Sequence, residues 1–428
     1  MSDKRESPGT GRAALTRRQF IHGASAAAVT MAGVSTGRVR GANERLGVGF
    51  VGCGGRSGAH FKTVHYLKGS GANVEIVAAC DTYKPRLQAR VKGYGGKGYA
   101  DHHELLDDPN VDVVCIATPD HQHGYQAIDA VRAGKDVYCE KPVTHWRQFE
   151  LTKRLAAEVK KSGRVFQLGT QGMRDSAWWQ MRELIRDGLI GQPVHAECGY
   201  FRVGDWGERG MRIDDPNARP GPDLNWDGFL GDAPRRPYDV SRYFRWRMYE
   251  DYAGGPSTDL FPHSLTPVLF MLGVKMPDMV AATGGKLRYQ EREIPDTYNM
   301  LIDYPENITV AVLGTQANDY AGTGSRGSGQ RIPVIRGWEG TLTLEKNEIV
   351  FIPAQGSEKK PQRFAIEHGE DFVEYWRTFL DCCRARKKET LSTMELAYRV
   401  QTPLQMGMLG LQEGKVAKFD PVGEKILL

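Results

Sequence analysis

The chain has 428 residues, 40% hydrophobic and 25% charged, the balance of a folded protein long enough for two domains. Its formal net charge of +5 is an N-terminal feature: residues 1–42 carry seven basic and two acidic side chains, and residues 43–428 carry 50 of each. A neutral body lacks the footprint of a nucleic-acid binder, and seven scattered cysteines with no Cys-x-x-Cys pair argue against a disulfide framework or a zinc site.

At the N-terminus, Thr16-Arg17-Arg18-Gln19-Phe20-Ile21 precedes a weakly apolar run of small residues from Ala24 to Val34. The run is short and holds Gly23 and Gly33 at its edges, a poor membrane span. Twin arginines before such a run read as a twin-arginine export signal over residues 1–42, which predicts a periplasmic or otherwise exported protein. The alternative is a disordered basic tail. Export of an already folded protein would require any cofactor to be bound beforehand.

From residue 43, short apolar runs alternate with helical patterns. Strands are expected at Leu46–Val51, Val74–Cys80, Val111–Ala117 and Asp136–Cys139. Helices are expected at Ala59–Leu67, Pro85–Lys92, His102–Leu106 (N-capped by Asp101) and Gly124–Ala133. This alternation predicts a doubly wound parallel sheet, with ligands at the carboxyl ends of its strands. The first strand runs into Gly52-Cys53-Gly54-Gly55-Arg56-Ser57-Gly58, near the dinucleotide fingerprint but with serine at the third glycine position. Gly52 suits the tight turn, and Gly54 the close approach of backbone N–H groups to a pyrophosphate. Cys53, Gly55 and Arg56 belong to the same candidate cofactor turn. Asp81, 29 positions beyond Gly52, ends the second strand and suits the ribose hydroxyls, favouring NAD, with NADP as the alternative because Lys84 and Arg86 follow closely.

Downstream stand Ala117-Thr118-Pro119-Asp120-His121-Gln122-His123 and then Glu140-Lys141-Pro142. With Gly52-x-Gly54, their order and spacing resemble the glucose–fructose oxidoreductase/inositol dehydrogenase (Gfo/Idh/MocA) family, from about residue 44 to the C-terminus. The resemblance implies cofactor contacts from Thr118, Pro119, His123, Glu140 and Gln171, and a catalytic Lys141 at a strand's carboxyl end. His121 and His123 lack a third ligand at a convincing spacing, so no metal is expected.

After a helix Trp146–Ser162 and a strand Arg164–Leu168, Gly169-Thr170-Gln171 resembles the family's crossover, which would place Gln171 and Arg174 in the cleft, Arg174 on the substrate. A helix Trp178–Asp187 follows. Strands are expected at Val194–Val203, Met279–Tyr289, Tyr298–Tyr304, Thr309–Gln316, Gly340–Leu344 and Glu348–Ile352, an α+β domain with an open, mostly antiparallel sheet. In the family one face of this sheet often forms a dimer or tetramer, so a homo-oligomer is expected. The stretch from Asn225-Trp226-Asp227 to Phe244-Arg245-Trp246-Arg247 is dense in aromatics and arginines, which suits a sugar or simply a packed long loop; Trp246 and Arg247 are the candidate substrate contacts. Gly254-Gly255-Pro256-Ser257-Thr258-Asp259-Leu260-Phe261-Pro262-His263 matches the family's Asp-x-x-x-His pair. At i, i+4, Asp259 would orient His263 as acid/base. Thr266 stands where relatives often have a second aspartate, and Pro262 and Pro267 crowd the helix. Helices Phe372–Arg384 and Met394–Leu411 end the chain and in relatives return to the nucleotide domain.

The expected organisation is therefore a signal (1–42), a Rossmann domain (43–168), a substrate and oligomerisation domain (169–370) and returning helices (371–428). The expected activity is NAD(P)-dependent hydride transfer at a secondary alcohol of a sugar, glycoside or cyclitol. The first alternative is a redox-neutral enzyme that cleaves or eliminates a glycoside with tightly bound NAD. A non-catalytic nucleotide-binding protein is the second.

Overall fold

The computed structural model describes residues 45–204, 211–327 and 329–428; the expected export signal lies outside the described residues. Strands β1 (Leu46–Val51), β2 (Val74–Cys80), β3 (Lys97–Tyr99), β4 (Val113–Ile116), β5 (Asp136–Cys139) and β6 (Phe166–Leu168) form a sheet in the order β3-β2-β1-β4-β5-β6, every pair parallel. β1, β4 and β5 are buried at every residue, which is why they read as unbroken apolar runs. The strand order reverses between β1 and β4 and opens a crevice at their carboxyl ends. β3 carries no apolar run, since two of its three residues are exposed.

Two helix starts differ from expectation where it matters. The Thr118–His123 segment, expected as a loop, becomes helical at Asp120, and the helix Asp120–Arg132 has Pro119 as its N-cap. The helix expected from Trp146 begins at Phe149 instead. Trp146 is a fully buried plug whose Nε1 donates to the Ala253 carbonyl at 3.2 Å.

The second sheet is built on the long β7 (Pro193–Val203) and continues through β8 (Met279–Gly285), β9 (Thr297–Tyr304) and β10 (Ile308–Thr315). Short pairings follow at β11 (Ala317–Asn318), β12 (Ser325–Arg326) and β13 (Gln330–Arg331), then β14 (Val334–Gly337), β15 (Gly340–Glu345), β16 (Glu348–Pro353) and β17 (Gln362–Ala365). The chain's last strands, β18 (Ala417–Asp420) and β19 (Lys425–Leu427), extend the edge beyond β8, giving the order β17-β16-β15-β14-β7-β10-β9-β8-β18-β19. The sheet is mixed but mostly antiparallel, β7 and β10 being its parallel pair. β8 stops at Gly285, short of the expected Tyr289, because the Asp296 carboxylate gathers the backbone N–H groups of Arg288 and Tyr289 into a turn.

The helices Phe372–Ala385 and Met394–Glu413 fold back on the nucleotide domain. Trp376 is fully buried and stacks on Tyr138 of β5 at 4.5 Å. Of the two readings of the aromatic stretch, packing holds for most of it: Trp226, Phe229, Tyr243, Phe244 and Tyr252 form a satellite core. That cluster docks beside the end of β2. Asn225 N donates to Thr82 O and Lys84 N to Asp223 O, each at 2.9 Å, and the hydroxyls of Tyr243 and Thr82 meet at 2.8 Å.

Candidate active site

A cleft of about 1080 Å³ runs from the β1 turn, past the ends of β4 and β5, to the inner face of the second domain. At its nucleotide end, Gly52 has φ +91°, and a Cβ there would lie 2.7 Å from the Ala117 carbonyl. Only glycine fits. The helix Gly55–Gly69 begins at Gly54 with no side-chain cap and no acidic residue in its first turn, so its positive end is open to an anion. The Asp81 carboxylate accepts from Cys53 N at 2.6 Å and Tyr83 N at 2.7 Å, tying the end of β2 to the glycine turn. Burial raises its pKa against the pull of Arg86. Arg86 is itself bound to Asp214 at 2.6 Å and lies over Phe244, so its charge is answered before any ligand arrives. A backbone cradle that a side chain would fill, an uncapped helix and a carboxylate at β2 together fit a dinucleotide.

Glu140, at the end of β5, is fully engaged. Arg56 Nε donates to it at 2.7 Å and His60 Nε2 at 2.9 Å. Burial alone would raise its pKa, but Arg56 and His60 outweigh that and hold it ionised. Trp376 Nε1 donates to His60 Nδ1 at 2.9 Å. Indole has only a donor, so the proton of neutral His60 is on Nε2, facing Glu140. Arg56 Nη2 continues the chain to Gln171 Oε1 at 3.3 Å.

Lys141 is buried, and its ammonium donates to both the backbone carbonyl and the carboxylate of Asp259, the latter at 2.6 Å. A helix break makes the first contact available. Pro256–Asp259 is one turn, Leu260 stands between the two helices with a stretched φ of −112° (ψ −46°), and Phe261–Leu272 starts anew. His263 N consequently bonds Leu260 O, and Asp259 O is left for the lysine. Arg247 Nε and Arg202 Nη2 approach the same carboxylate at 3.3 and 3.5 Å. Burial would raise the Asp259 pKa, but Lys141, Arg247 and Arg202 drive it far below the usual range.

The expected Asp259–His263 hydrogen bond is corrected by this break. Among the described residues Asp259 pairs with Lys141, Arg202 and Arg247 rather than with the imidazole, because the two residues do not share a continuous helix. His263 still lines the cleft, half-buried. Burial, and then Lys141, push its pKa down to about 3, so the ring is neutral. Pro267 removes the N–H that would bond His263 O. The Gln330 amide takes that place at 3.3 Å and pins the turn.

Other expected residues divide. Thr118, Pro119, Gln171, Trp246 and Arg247 line the cleft. His123 does too, but its Nδ1 and Nε2 face the carbonyls of Pro142 and Thr118 at 2.6 and 2.8 Å, so its ring clamps the two strand ends together and presents neither nitrogen to a ligand. His121 turns to Phe229 O at 2.8 Å, away from His123. Arg174 is corrected as a substrate contact. It ends the 3₁₀ turn Gln171–Arg174, which swings it out of the cleft wall to His368 Nδ1 at 2.9 Å. Two residues given no role from the sequence belong to the site. Arg202 reaches it from β7, and Asp120 is buried at the start of its helix, accepting from Thr258 Oγ1 at 2.9 Å. Burial lifts Asp120 to about 7 despite Arg247 and Lys141.

Residues 46–170 match the Gfo/Idh/MocA oxidoreductase family's NAD-binding Rossmann fold, and residues 175–320 match its C-terminal alpha/beta domain. Over 160 residues the chain is 34% identical to inositol 2-dehydrogenase of Salmonella typhimurium, covering 37% of this chain and 46% of that protein. It is 32% identical to inositol 2-dehydrogenase/D-chiro-inositol 3-dehydrogenase of Lactiplantibacillus plantarum over 156 residues, covering 36% and 43%. The chain thus spans less than half the length of these relatives. Levoglucosan dehydrogenase in complex with NADH and levoglucosan superposes with a TM-score of 0.65 at 18% identity, over 88% of this chain and 99% of that one. The WlbA dehydrogenase of Bordetella pertussis, in complex with NADH and UDP-GlcNAcA, gives 0.63 at 20%, over 88% and 99%. At such identities the likeness shows the fold.

Proposed function

The chain belongs to the Gfo/Idh/MocA oxidoreductase family, and from that premise we propose that it is an NAD-dependent dehydrogenase of a secondary alcohol on a sugar, glycoside or cyclitol. The observation that carries this reading is the buried Lys141–Asp259 pair at the carboxyl end of β5, facing the second domain. NAD, when bound through the Gly52–Arg56 turn and Asp81, supplies the hydride acceptor or donor. Lys141 has three N–H donors, and two go to Asp259. The third is left for the substrate oxygen, where it stabilises negative charge developing on the carbinol. Asp259, held ionised by three cations, is a positioning residue that fixes the ammonium. His263 lines the same cleft as a neutral imidazole and takes the hydroxyl proton. Relatedness to inositol dehydrogenases over about 160 residues supports a polyhydroxylated substrate.

The test is purified protein with NAD and a panel of sugars and cyclitols, followed at the nicotinamide absorbance. Lys141→Ala is expected to lower kcat by about 100- to 1,000-fold while NAD still binds; unchanged turnover in that variant sinks the reading. Substrate consumed without net NADH would instead favour redox-neutral glycoside cleavage. We also propose export through the twin-arginine route, motivated by Arg17-Arg18 before the Ala24–Val34 run. Deleting Arg17 and Arg18 is expected to abolish periplasmic activity; undiminished periplasmic activity contradicts it.

A further inference from the structure

His121 and His123, two apart in the chain, turn their rings to backbone carbonyls. A different pair meets carboxylates. His102 and His103 open the helix His102–Asp107, and their ring centroids are 4.0 Å apart. Asp101, which also caps that helix through His103 N, stands at one edge of both rings. Asp129, from the helix Asp120–Arg132, stands at the other. Asp101 Oδ1 is 2.8 Å from His103 Nδ1 and 3.5 Å from His102 Nδ1. Asp129 Oδ2 is 3.1 Å from His102 Nε2 and 3.5 Å from His103 Nε2. One ligand atom from each of Asp101, His102 and His103 lies within 4.8 Å of the others. A neutral imidazole has one N–H and one lone pair. The shorter contact of each ring takes its N–H, so His103 donates to Asp101 and His102 to Asp129. His102 Nδ1 and His103 Nε2 then set lone pairs against carboxylate oxygens 3.5 Å away. Four contacts with two protons form an array that a cation completes. Donors at about 2.0–2.2 Å from a tetrahedral zinc stand roughly 3.4 Å from one another, so the 3.1 and 3.5 Å edges already have the size of a coordination polyhedron. His102 and Asp129 are 20% and 32% exposed and His103 63%, which lets an ion enter and keep a water ligand.

We propose that Asp101, His102, His103 and Asp129 bind one divalent transition ion. Two imidazole nitrogens with carboxylate oxygens favour zinc over calcium or magnesium, which take oxygen donors. The ion ties the helix after β3 to the helix after β4, at the rim of the cofactor cleft that Asp101, His102 and His103 line. The test needs no turnover, so it stands apart from the dehydrogenase reading. Tag-free full-length protein is stripped with a chelator and titrated calorimetrically with zinc chloride, with magnesium chloride as the control ion. One zinc per chain is expected, and a melting temperature raised by several degrees at about 100 times the dissociation constant. His102→Gln, His103→Gln and Asp129→Asn should each weaken zinc binding by about 10- to 100-fold or more. His65→Gln, at an exposed histidine of another helix, should leave it unchanged. Each variant is compared with its own zinc-free form, so a loss of stability does not pass for a loss of the ion. No zinc bound by the parent below millimolar concentration overturns the proposal and leaves two histidine–aspartate hydrogen bonds. So does zinc binding that survives both histidine substitutions together, or a response to magnesium equal to that to zinc.

Discussion

Asp120 shows how a residue's surroundings decide its chemistry. It opens a helix whose positive end favours a carboxylate, and it has a hydroxyl donor in Thr258. Burial wins nonetheless and lifts it to about 7. The sign for stability follows. A carboxyl with a folded pKa of about 7 and an unfolded pKa of about 3.9 holds its proton more tightly when folded. Its stability cost is absent below the unfolded value, grows as pH rises between the two, and is complete above 7. Asp120→Asn keeps an acceptor for Thr258 and removes the titration. The variant should exceed the parent in melting temperature by a few degrees at pH 8 and by much less at pH 4.5. An equal difference at both pH values would show that Asp120 does not titrate there. Nothing in Thr118-Pro119-Asp120-His121 announces this, because the burying partners come from the segment around Thr258, more than a hundred residues away. The places of Lys141 and the glycine turn in the cleft, by contrast, were legible because they follow from local strand ends. Asp259 was legible as a residue and misassigned as a partner. The i, i+4 rule presumes a continuous helix, and the break at Leu260 handed the carboxylate to Lys141.

The Phe372–Ala385 helix connects the chain's end to its cofactor cleft. Its sequence shows an amphipathic face, and that part of the fold was readable, as were β1, β2, β4, β5 and β6, whose apolar runs reflect burial in the parallel sheet. The connection itself was not readable, because Trp376, His60 and Glu140 meet only in three dimensions. Trp376 supplies burial, stacking on Tyr138, and one N–H that fixes the tautomer of His60 and so the donor facing Glu140. Trp376→Phe keeps most of the apolar surface and loses the donor, leaving buried His60 Nδ1 unpaired. The expected cost is about 1–3 kcal/mol, read as a lower melting temperature. NAD affinity should fall with it, since Arg56 lines the cleft and is held by the same Glu140. A destabilised variant with unchanged NAD affinity would confine the helix to a packing role.

Two neutral histidines join the nucleotide domain to the aromatic segment packed over it. His121 Nε2 donates to Phe229 O at 2.8 Å, and His145 Nε2 to Glu250 O at 2.9 Å. Burial lowers their pKa values to about 4 and about 3. The second ring nitrogen explains why protonation cannot be accommodated: His121 Nδ1 is buried without a partner among the described residues, and His145 Nδ1 accepts from Arg147 N at 3.3 Å. With unfolded values near about 6.5, their contribution is complete above that pH and is lost as pH falls towards the folded values. Asp120 and Asp81 have the opposite slope, but His123 and His263 are lowered as well, so the histidines outnumber them. The whole molecule should therefore lose melting temperature steadily from pH 6.5 to pH 4. The aromatic cluster of Trp226 and Phe229 should loosen early in that window, seen as a shift in tryptophan emission, because both histidine bonds end on its segment. His145→Gln preserves a donor for Glu250 O without the titration and should flatten the pH dependence by about one proton's slope. A melting temperature constant from pH 7 to pH 4.5 in the parent protein would show that these imidazoles do not hold the domains together.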